Sequence, residues 1–448
     1  MKEERVSDYK KAEAFLAEVP KFTKKNPLEE TKGFYQFIQE CDNGIFSEKR
    51  LGKIIHVAGT NGKGSVCSFI QQICIESGYK TAMFTSPHLV TTRERFCING
   101  EMISEEIFLE AYNWLIDKIN EYNIINLDYK PTYFERLFFM GIYIFSRSEA
   151  EVTILETGLG GRLDTTNVIN SPVISVITEV GFDHTEYLGE TLEQIAGEKA
   201  GIIKPEIPVV FSDRKREVST ILTQKAKECG SKCYKISKKE YKINENRKKF
   251  IDFSLSNLYY DYGRFIVNSQ ALYQIENAAI AVKTCDVLLY MGMLDRLTTE
   301  SVKNGISKMK WPGRMEEIVS EVYIDGAHNV DGIEAFVNTV NNMDFTNINK
   351  VILIFSSVRD KRYQDMIQML CNIPVVTDFV ITQIPGERGT ALNELVENFR
   401  LHTNKDIHSF EDIKTAIEFA IADRGDKGRV YVVGSLYLAG IIQEIIKS

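Results

Sequence analysis

The sequence holds little from which a disulfide framework, a membrane anchor or a nucleic-acid coat could be built. Its eight cysteines, at 41, 67, 74, 97, 229, 233, 285 and 371, form no CxxC pair and no tight cluster. That spread argues against a cystine scaffold and for free thiols in a reducing compartment. Cys229 and Cys233 would be neighbours if they shared a helix, yet no paired His or Cys cluster nearby completes a zinc site. No stretch reaches the ~18 uninterrupted apolar residues of a membrane span. The opening MKEERVSDYKKAEAFLAEV also lacks a long apolar core. The expected location is therefore the cytoplasm. Basic residues do not dominate either: 54 Lys plus Arg stand against 62 Asp plus Glu, a formal net charge of −8. Nucleic acids and anionic membranes both select a cationic surface, so neither is an expected partner. Such an average leaves room for a local phosphate site.

What is present is an ordinary globular composition, 448 residues with 44% hydrophobic, enough for two or three domains at roughly 150 residues each. Apolar runs that end in Gly-rich or Asp-bearing turns alternate with amphipathic segments. KIIHVA (53–58) reads as a buried strand, followed by a glycine-rich turn, the helix-like SVCSFIQQICIESG and a strand at 80–84. VTILET (152–157), PVISVIT (172–178) and PVVFS (208–212) continue the series. This grammar predicts an α/β fold with a mostly parallel, helix-covered sheet. Residues 213–270 differ, being rich in Lys, Ser, Tyr and Asn, and read as short antiparallel strands appended to the sheet. Their Lys cluster reads as a solvated face. Near 310 the grammar restarts: Trp311-Pro312-Gly313-Arg314 breaks the chain, and EEIVSEVYIDGAHN, VILIFSS (351–357), a strand near 375–383 and RVYVVGS (429–435) follow. The expected domains are 1–309, a P-loop-type ATP-binding unit, and 310–448, a smaller Rossmann-like unit, hinged at Pro312 and Gly313.

The most informative string is Gly59-Thr60-Asn61-Gly62-Lys63-Gly64-Ser65, set between strand and helix. A phosphate chain needs small residues so that backbone N–H groups can approach, a helix N-terminus, one lysine as a point charge and a hydroxyl for Mg²⁺. The three glycines, Lys63 and Ser65 provide these. The spacing departs from GxxxxGK[ST], because Val57 takes the first glycine position and Gly64 separates Lys63 from Ser65. The alternative is a plain glycine turn with an exposed lysine.

GTNGKGS is followed in order by TSPHLVTTRERFCING, LETGLGGRLDTTN, DHTEYLGETLEQIAGEKAGIIK, WPGR, DGAHN and VVGSLYLAG. With these motifs the chain resembles the folylpolyglutamate synthase and dihydrofolate synthase family of the Mur ligase superfamily, from about residue 50 to the end. The resemblance implies that ATP phosphorylates a substrate carboxylate and that the amino group of L-glutamate attacks the acyl phosphate. A carboxylate is a poor electrophile, so the enzyme must position partners, neutralise phosphoryl charge and exclude water. The implied ligands are ATP, two Mg²⁺ ions, L-glutamate and dihydropteroate or a folate, bound by a monomer.

The resemblance also distributes roles. Lys63 would cradle the β and γ phosphates, with Ser65 and Glu156 on the first Mg²⁺ and His184 on the second. Lys199 matches a lysine that is often N-carboxylated. Asn277, Arg314 and Asp325 match nucleotide-contacting positions, and His328 and Ser435 would face the glutamate end. Ser86, in Thr85-Ser86-Pro87-His88-Leu89, would lie on the substrate side, and Thr132, Phe134, Asp164 and Thr165 would hold the pterin. Taken singly, Glu156 reads first as a helix cap or salt-bridge partner and Lys199 as a surface ion pair, and Phe134 reads equally as core. The chain departs from the family at Tyr273, where His is common, at Thr165, where Ala is common, at Ser356, usually glycine, and at Arg362, usually acidic. A cell-wall Mur ligase shares the loop, but only about 50 residues precede it here, too few for a further N-terminal domain. A nucleotide-binding module without ligase chemistry would lack a metal-site or second-domain motif, and all are present.

Overall fold

A computed structural model of the chain describes residues 4–20, 27–126 and 129–447. Lys53–Ala58 (β1) is a continuous apolar run, and such a strand is stable only with both faces covered. It lies inside an eight-stranded sheet with Thr81–Phe84 (β2), Phe96–Ile98 (β3), Glu101–Met102 (β4), Val152–Glu156 (β5), Ile174–Ile177 (β6), Val209–Ser212 (β7) and Cys233–Ile236 (β8). The strand order is β4-β3-β2-β5-β1-β6-β7-β8. From β2 to β8 every pairing is parallel, and β3 and β4 form an antiparallel edge. Parallel strands present their carboxyl ends along one border. There β1 runs into the glycine loop, β5 ends at Glu156, and Val57 and Glu156 stand side by side in the register.

The two faces of this sheet bury different chemistry. On one, Val66, Phe69, Ile70 and Ile73 of the helix Lys63–Glu76 meet Ile275 and Ile280 of the helix Tyr273–Tyr290 and Val302 and Ile306 of the helix Thr299–Lys308. The other face is aromatic, with Phe84, Phe96, Phe108, Phe138, Phe139 and Phe145 in one cluster. T-shaped contacts such as Phe34 on Phe139, with ring centroids 4.8 Å apart, fix its geometry.

Residues 213–270 depart from expectation in three ways. Arg216–Glu228 is a helix, because Val218, Leu222 and Ala226 recur every four residues on one buried face, a period hidden among lysines and glutamates. β8 then extends the main sheet in parallel. Tyr241–Arg247 (β9), Phe250–Leu255 (β10) and Arg264–Val267 (β11) are antiparallel as expected, yet they form their own three-stranded sheet. Lys238, Lys239, Lys242, Lys248 and Lys249 are exposed there. Cys229 lies just beyond the helix and Cys233 begins β8, so they are not helical neighbours, and no disulfide joins any of the described cysteines.

A second sheet of Arg314–Val319 (β12), Val322–Asp325 (β13), Lys350–Phe355 (β14), Asp378–Thr382 (β15), Asp406–Phe410 (β16) and Gly428–Val433 (β17) has the order β12-β13-β17-β14-β15-β16. Only β12 is antiparallel to its neighbour. Apolar clusters cover both of its faces. Among the described residues no helix is long and apolar enough to cross a membrane.

The glycine loop is held from below by a close helix crossing. A Cβ on Gly305 would lie 2.5 Å from Ile73 Cα and 2.7 Å from its backbone nitrogen. Backbone cannot yield as a flexible side chain can, so Gly305→Ala is expected to destabilise the fold by about 1–3 kcal/mol. A thermal melt should show a Tm lower by several degrees; an unchanged or higher Tm would contradict this packing.

Candidate active site

Glycine is required in the loop for two separate reasons. Gly62 has φ +85°, a left-handed conformation, and a Cβ on it would meet Asn277 Oδ1 at 2.3 Å. On Gly64 a Cβ would strike the Trp311 ring at 2.5 Å, so the linker tryptophan packs directly on the loop. Thr60 N–H donates to the Glu179 carbonyl at 2.7 Å, tying the loop to the chain beyond β6. The helix Lys63–Glu76 thereby opens with its N-terminus facing a cavity of about 520 Å³. Ser65 is buried, and its hydroxyl accepts from Gln274 Nε2 at 3.2 Å.

Charges converge on this cavity from both sheets. Lys63 Nζ reaches the Thr60 carbonyl at 3.3 Å and lies 3.7 Å from Glu156 Oε1. The other Glu156 oxygen accepts from the Ser86 N–H at 3.1 Å. Burial pushes the Glu156 carboxyl up, opposed by Lys63 and by that N–H. Lys199, also buried, donates to the Gly59 carbonyl at 2.8 Å. Burial and then Lys63 lower its ammonium to about 7. His184 has φ +49°, a strained conformation for a non-glycine residue, with its N–H on Asp183 Oδ1 at 2.9 Å. Burial lowers its imidazole too, so it is neutral at physiological pH.

Asp183 is the junction between the two sheets. It accepts from Lys361 Nζ and, at 3.1 Å, from Asn329 Nδ2, with His328 Nε2 at 3.8 Å. Burial would raise its carboxyl, yet the cationic surroundings hold it well below the carboxylate range. Burial lowers His328 to about 4, so it is neutral at pH 7 and Lys361 supplies the positive charge. His328 Nδ1 lies 2.7 Å from the Gly326 carbonyl. A carbonyl can only accept, so Nδ1 carries the proton and Nε2 keeps its lone pair. Asn61 and Asn329 exchange amide hydrogen bonds at 3.0 and 3.3 Å.

All of the expected phosphate-loop residues, with Ser86, Glu156, His184, Lys199, Asn277, Arg314, Asp325 and His328, line this one cavity. Thr132, Phe134, Asp164, Thr165 and Ser435 do not. Thr132 caps the helix Tyr133–Ser146 in a reciprocal pairing with Glu135. Phe134 packs on Phe84, centroids 5.6 Å apart, and against Gly158. Asp164 accepts from the N–H groups of Gly158, Leu159 and Thr166 and from the Thr166 hydroxyl, so its oxygens are taken up in holding its own loop. Thr165 is buried in the short turn after it. The Ser435 hydroxyl accepts from the Tyr437 N–H. Ser356 is buried, its hydroxyl without a partner among the described residues, and Arg362 pairs with Asp365 on the surface.

The pattern of the Mur ligase middle domain matches residues 57–285, and that of the Mur ligase glutamate ligase domain matches residues 313–436. Dihydrofolate synthase/folylpolyglutamate synthase of Bacillus subtilis (strain 168) is 32% identical over 407 residues, spanning 89% of this chain and 91% of that protein. The chain belongs to the folylpolyglutamate synthase and dihydrofolate synthase family of Mur ligases. Folylpolyglutamate synthase of Lacticaseibacillus casei is 28% identical over 98% of this chain and 99% of its own. Among solved structures, Escherichia coli FolC in complex with DHPP and ADP matches with a TM-score of 0.79, 25% identity and 99% coverage of both chains.

Within this family framework, the residues that sequence alone does not single out are Asp183, Lys361, Asn329 and Gln274. Asp183 and Asn329 adjoin expected histidines in DHT and DGAHN, whereas Lys361 meets Asp183 across 178 residues of chain, a contact no local pattern encodes. Lys63 is mostly buried and, among the described residues, makes only the carbonyl contact and the longer Glu156 pairing. Lys63→Ala is therefore expected to leave the fold intact by circular dichroism and to cut turnover by about 10³-fold or more. Turnover within tenfold of the parent would remove Lys63 from the phosphate role.

Proposed function

We propose that this ATP-dependent ligase joins L-glutamate to the carboxylate of dihydropteroate, of a folate, or of both, through an acyl phosphate. One observation carries the reading: a single cavity draws Lys63, Glu156, His184 and Lys199 from around the larger sheet and Arg314, Asp325 and His328 from the smaller one. ATP lies along the loop, its phosphates on the backbone N–H groups of the helix start and on Lys63. The acceptor carboxylate attacks the γ-phosphorus, ADP departs, and Lys63 and Arg314 neutralise the charge on the transferring phosphoryl. The glutamate amine then attacks the acyl carbon, phosphate leaves, and His328 Nε2 is sited to take the amine proton while Asp183 steadies the resulting imidazolium. Trp311 and the Asn61–Asn329 pair keep water from the intermediate by closing the seam between the sheets.

The donor set also fits divalent cations. A buried carboxylate at Glu156, with Lys63 its only cation within 4 Å among the described residues, and the hydroxyls of Ser65 and Ser86 are hard oxygen ligands of the kind Mg²⁺ selects. Ser86 joins this group because its N–H already rests on Glu156. His184, neutral, would serve a second ion. Bound Mg²⁺ would offset phosphate charge during transfer. We place the boundary between the two units near residue 310, and the enzyme as a monomer in the cytoplasm.

Lys199 is suited to N-carboxylation. Only a neutral amine attacks CO₂, and an ammonium lowered to about 7 is largely neutral from pH 7.5 upward. The new C–N bond gives a carbamic acid that loses its proton to become a carbamate. The chemistry is tested by glutamate-dependent ADP release with dihydropteroate and tetrahydrofolate side by side. Release with at least one acceptor is expected, and folded protein that releases ADP with neither rejects the ligase. Native mass analysis should show CO₂ added to the parent and not to Lys199→Ala. A variant fully active without added carboxylates would contradict a carbamate role.

A further inference from the structure

Arg314 and Asp325 face each other across β12 and β13. Opposite charges so placed in a buried setting ordinarily pair. Here they do not: no carboxylate oxygen among the described residues lies within 4.0 Å of the Arg314 guanidinium. Its hydrogen bond runs instead to the Gly313 carbonyl at 2.8 Å. The guanidinium rests against Gly326, where a Cβ would come within 2.3 Å of Nη1, so the cavity wall is shaped to seat it.

The reason lies on the other side of the carboxylate. Asp325 Oδ1 accepts from the Ala327 N–H at 2.8 Å, and Oδ2 accepts from the Met315 N–H at 3.1 Å and from the Tyr273 hydroxyl at 2.5 Å. Tyr273 opens the helix Tyr273–Tyr290, whose same turn carries Gln274, bonded to Ser65, and Asn277, bonded to Gln274 and packed on Gly62. The tyrosine is thus anchored to the phosphate loop and reaches across to the second sheet. Burial, with Asp325 beside it, pushes its hydroxyl well above the ordinary value, so it remains a donor.

We infer that Tyr273 is a positioning residue which, with the Met315 N–H, fills Asp325 Oδ2 and thereby keeps the Arg314 guanidinium out of a close ion pair and available to the ATP phosphates. Without that hydroxyl, Asp325 Oδ2 is free to turn to Arg314, and the nucleotide must then break an ion pair to bind. The inference rests on the ligase reading above, and direct binding separates the two. Wild-type protein titrated calorimetrically with a non-hydrolysable ATP analogue should bind, and no binding at all overturns the nucleotide reading itself. Tyr273→Phe, which keeps the ring, should weaken that binding and raise KM for ATP about tenfold, the scale of one hydrogen bond to a charged group. KM for the acceptor and kcat should change less than about threefold, because bound nucleotide has already drawn Arg314 away from Asp325 and the cost falls on the binding step. Tyr273→His, still a donor, should restore affinity if the Phe variant is impaired or unstable. In an Asp325→Asn background, where no ion pair can form, Tyr273→Phe should have no further effect on binding. Unchanged affinity in Tyr273→Phe, failure of Tyr273→His to bind better than Tyr273→Phe, or an equal loss in the Asn background would each overturn the inference.

Discussion

The site depends on backbone reaching where no side chain fits. At Gly62 and Gly64 the phosphate loop is clamped between Asn277 on one side and Trp311 on the other, with gaps that would not admit even a methyl group. Because the clamp members come from the helix Tyr273–Tyr290 and from the linker into the second sheet, loop geometry and the relation of the two sheets are set by the same contacts. The helix below is seated by a similar intimacy at Gly305. Small residues at three crossings therefore fix the direction in which the loop N–H groups point, and every charged group in the cavity is placed relative to them.

Around that loop the charges are arranged to remain available. Lys63 and Glu156 stand 3.7 Å apart, near enough to compensate one another and too far for a tight hydrogen-bonded pair. Lys199 spends its proton on the Gly59 carbonyl, and Asp183 gathers Lys361 and Asn329 from the other sheet beside a neutral His328. Burial is the common cause: it raises Glu156 and lowers Lys199, His184 and His328. An overall charge of −8 therefore says little about a pocket that collects Lys63 and Lys199 from beside the larger sheet and Arg314 from the smaller one.

Much of this was legible in the sequence, for physical reasons that can be named. KIIHVA and VTILE read as buried strands because both of their faces are apolar, and glycines after a strand announced close backbone approach. Pro312 and Gly313 announced the passage into a second sheet. The helix Arg216–Glu228 was obscured because three apolar residues at a four-residue period are easily lost among lysines. Thr132 was placed with the pterin by resemblance, although Thr132-Tyr133-Phe134-Glu135 also spells the capping box the structure contains. The ring of N–H donors around Asp164 and the meeting of Lys361 with Asp183 exist only in three dimensions, since no periodicity or spacing encodes which loops converge.

The central claim is that the cavity activates a carboxylate by phosphorylation before the amine attacks. An acceptor carrying heavy oxygen in the carboxylate that reacts tests this directly, with the phosphate released during glutamate addition analysed by mass. Transfer of one carboxylate oxygen to each phosphate is the predicted result. Product formation with all of the heavy oxygen absent from phosphate would contradict an acyl phosphate, and with it the roles assigned to Lys63 and Arg314.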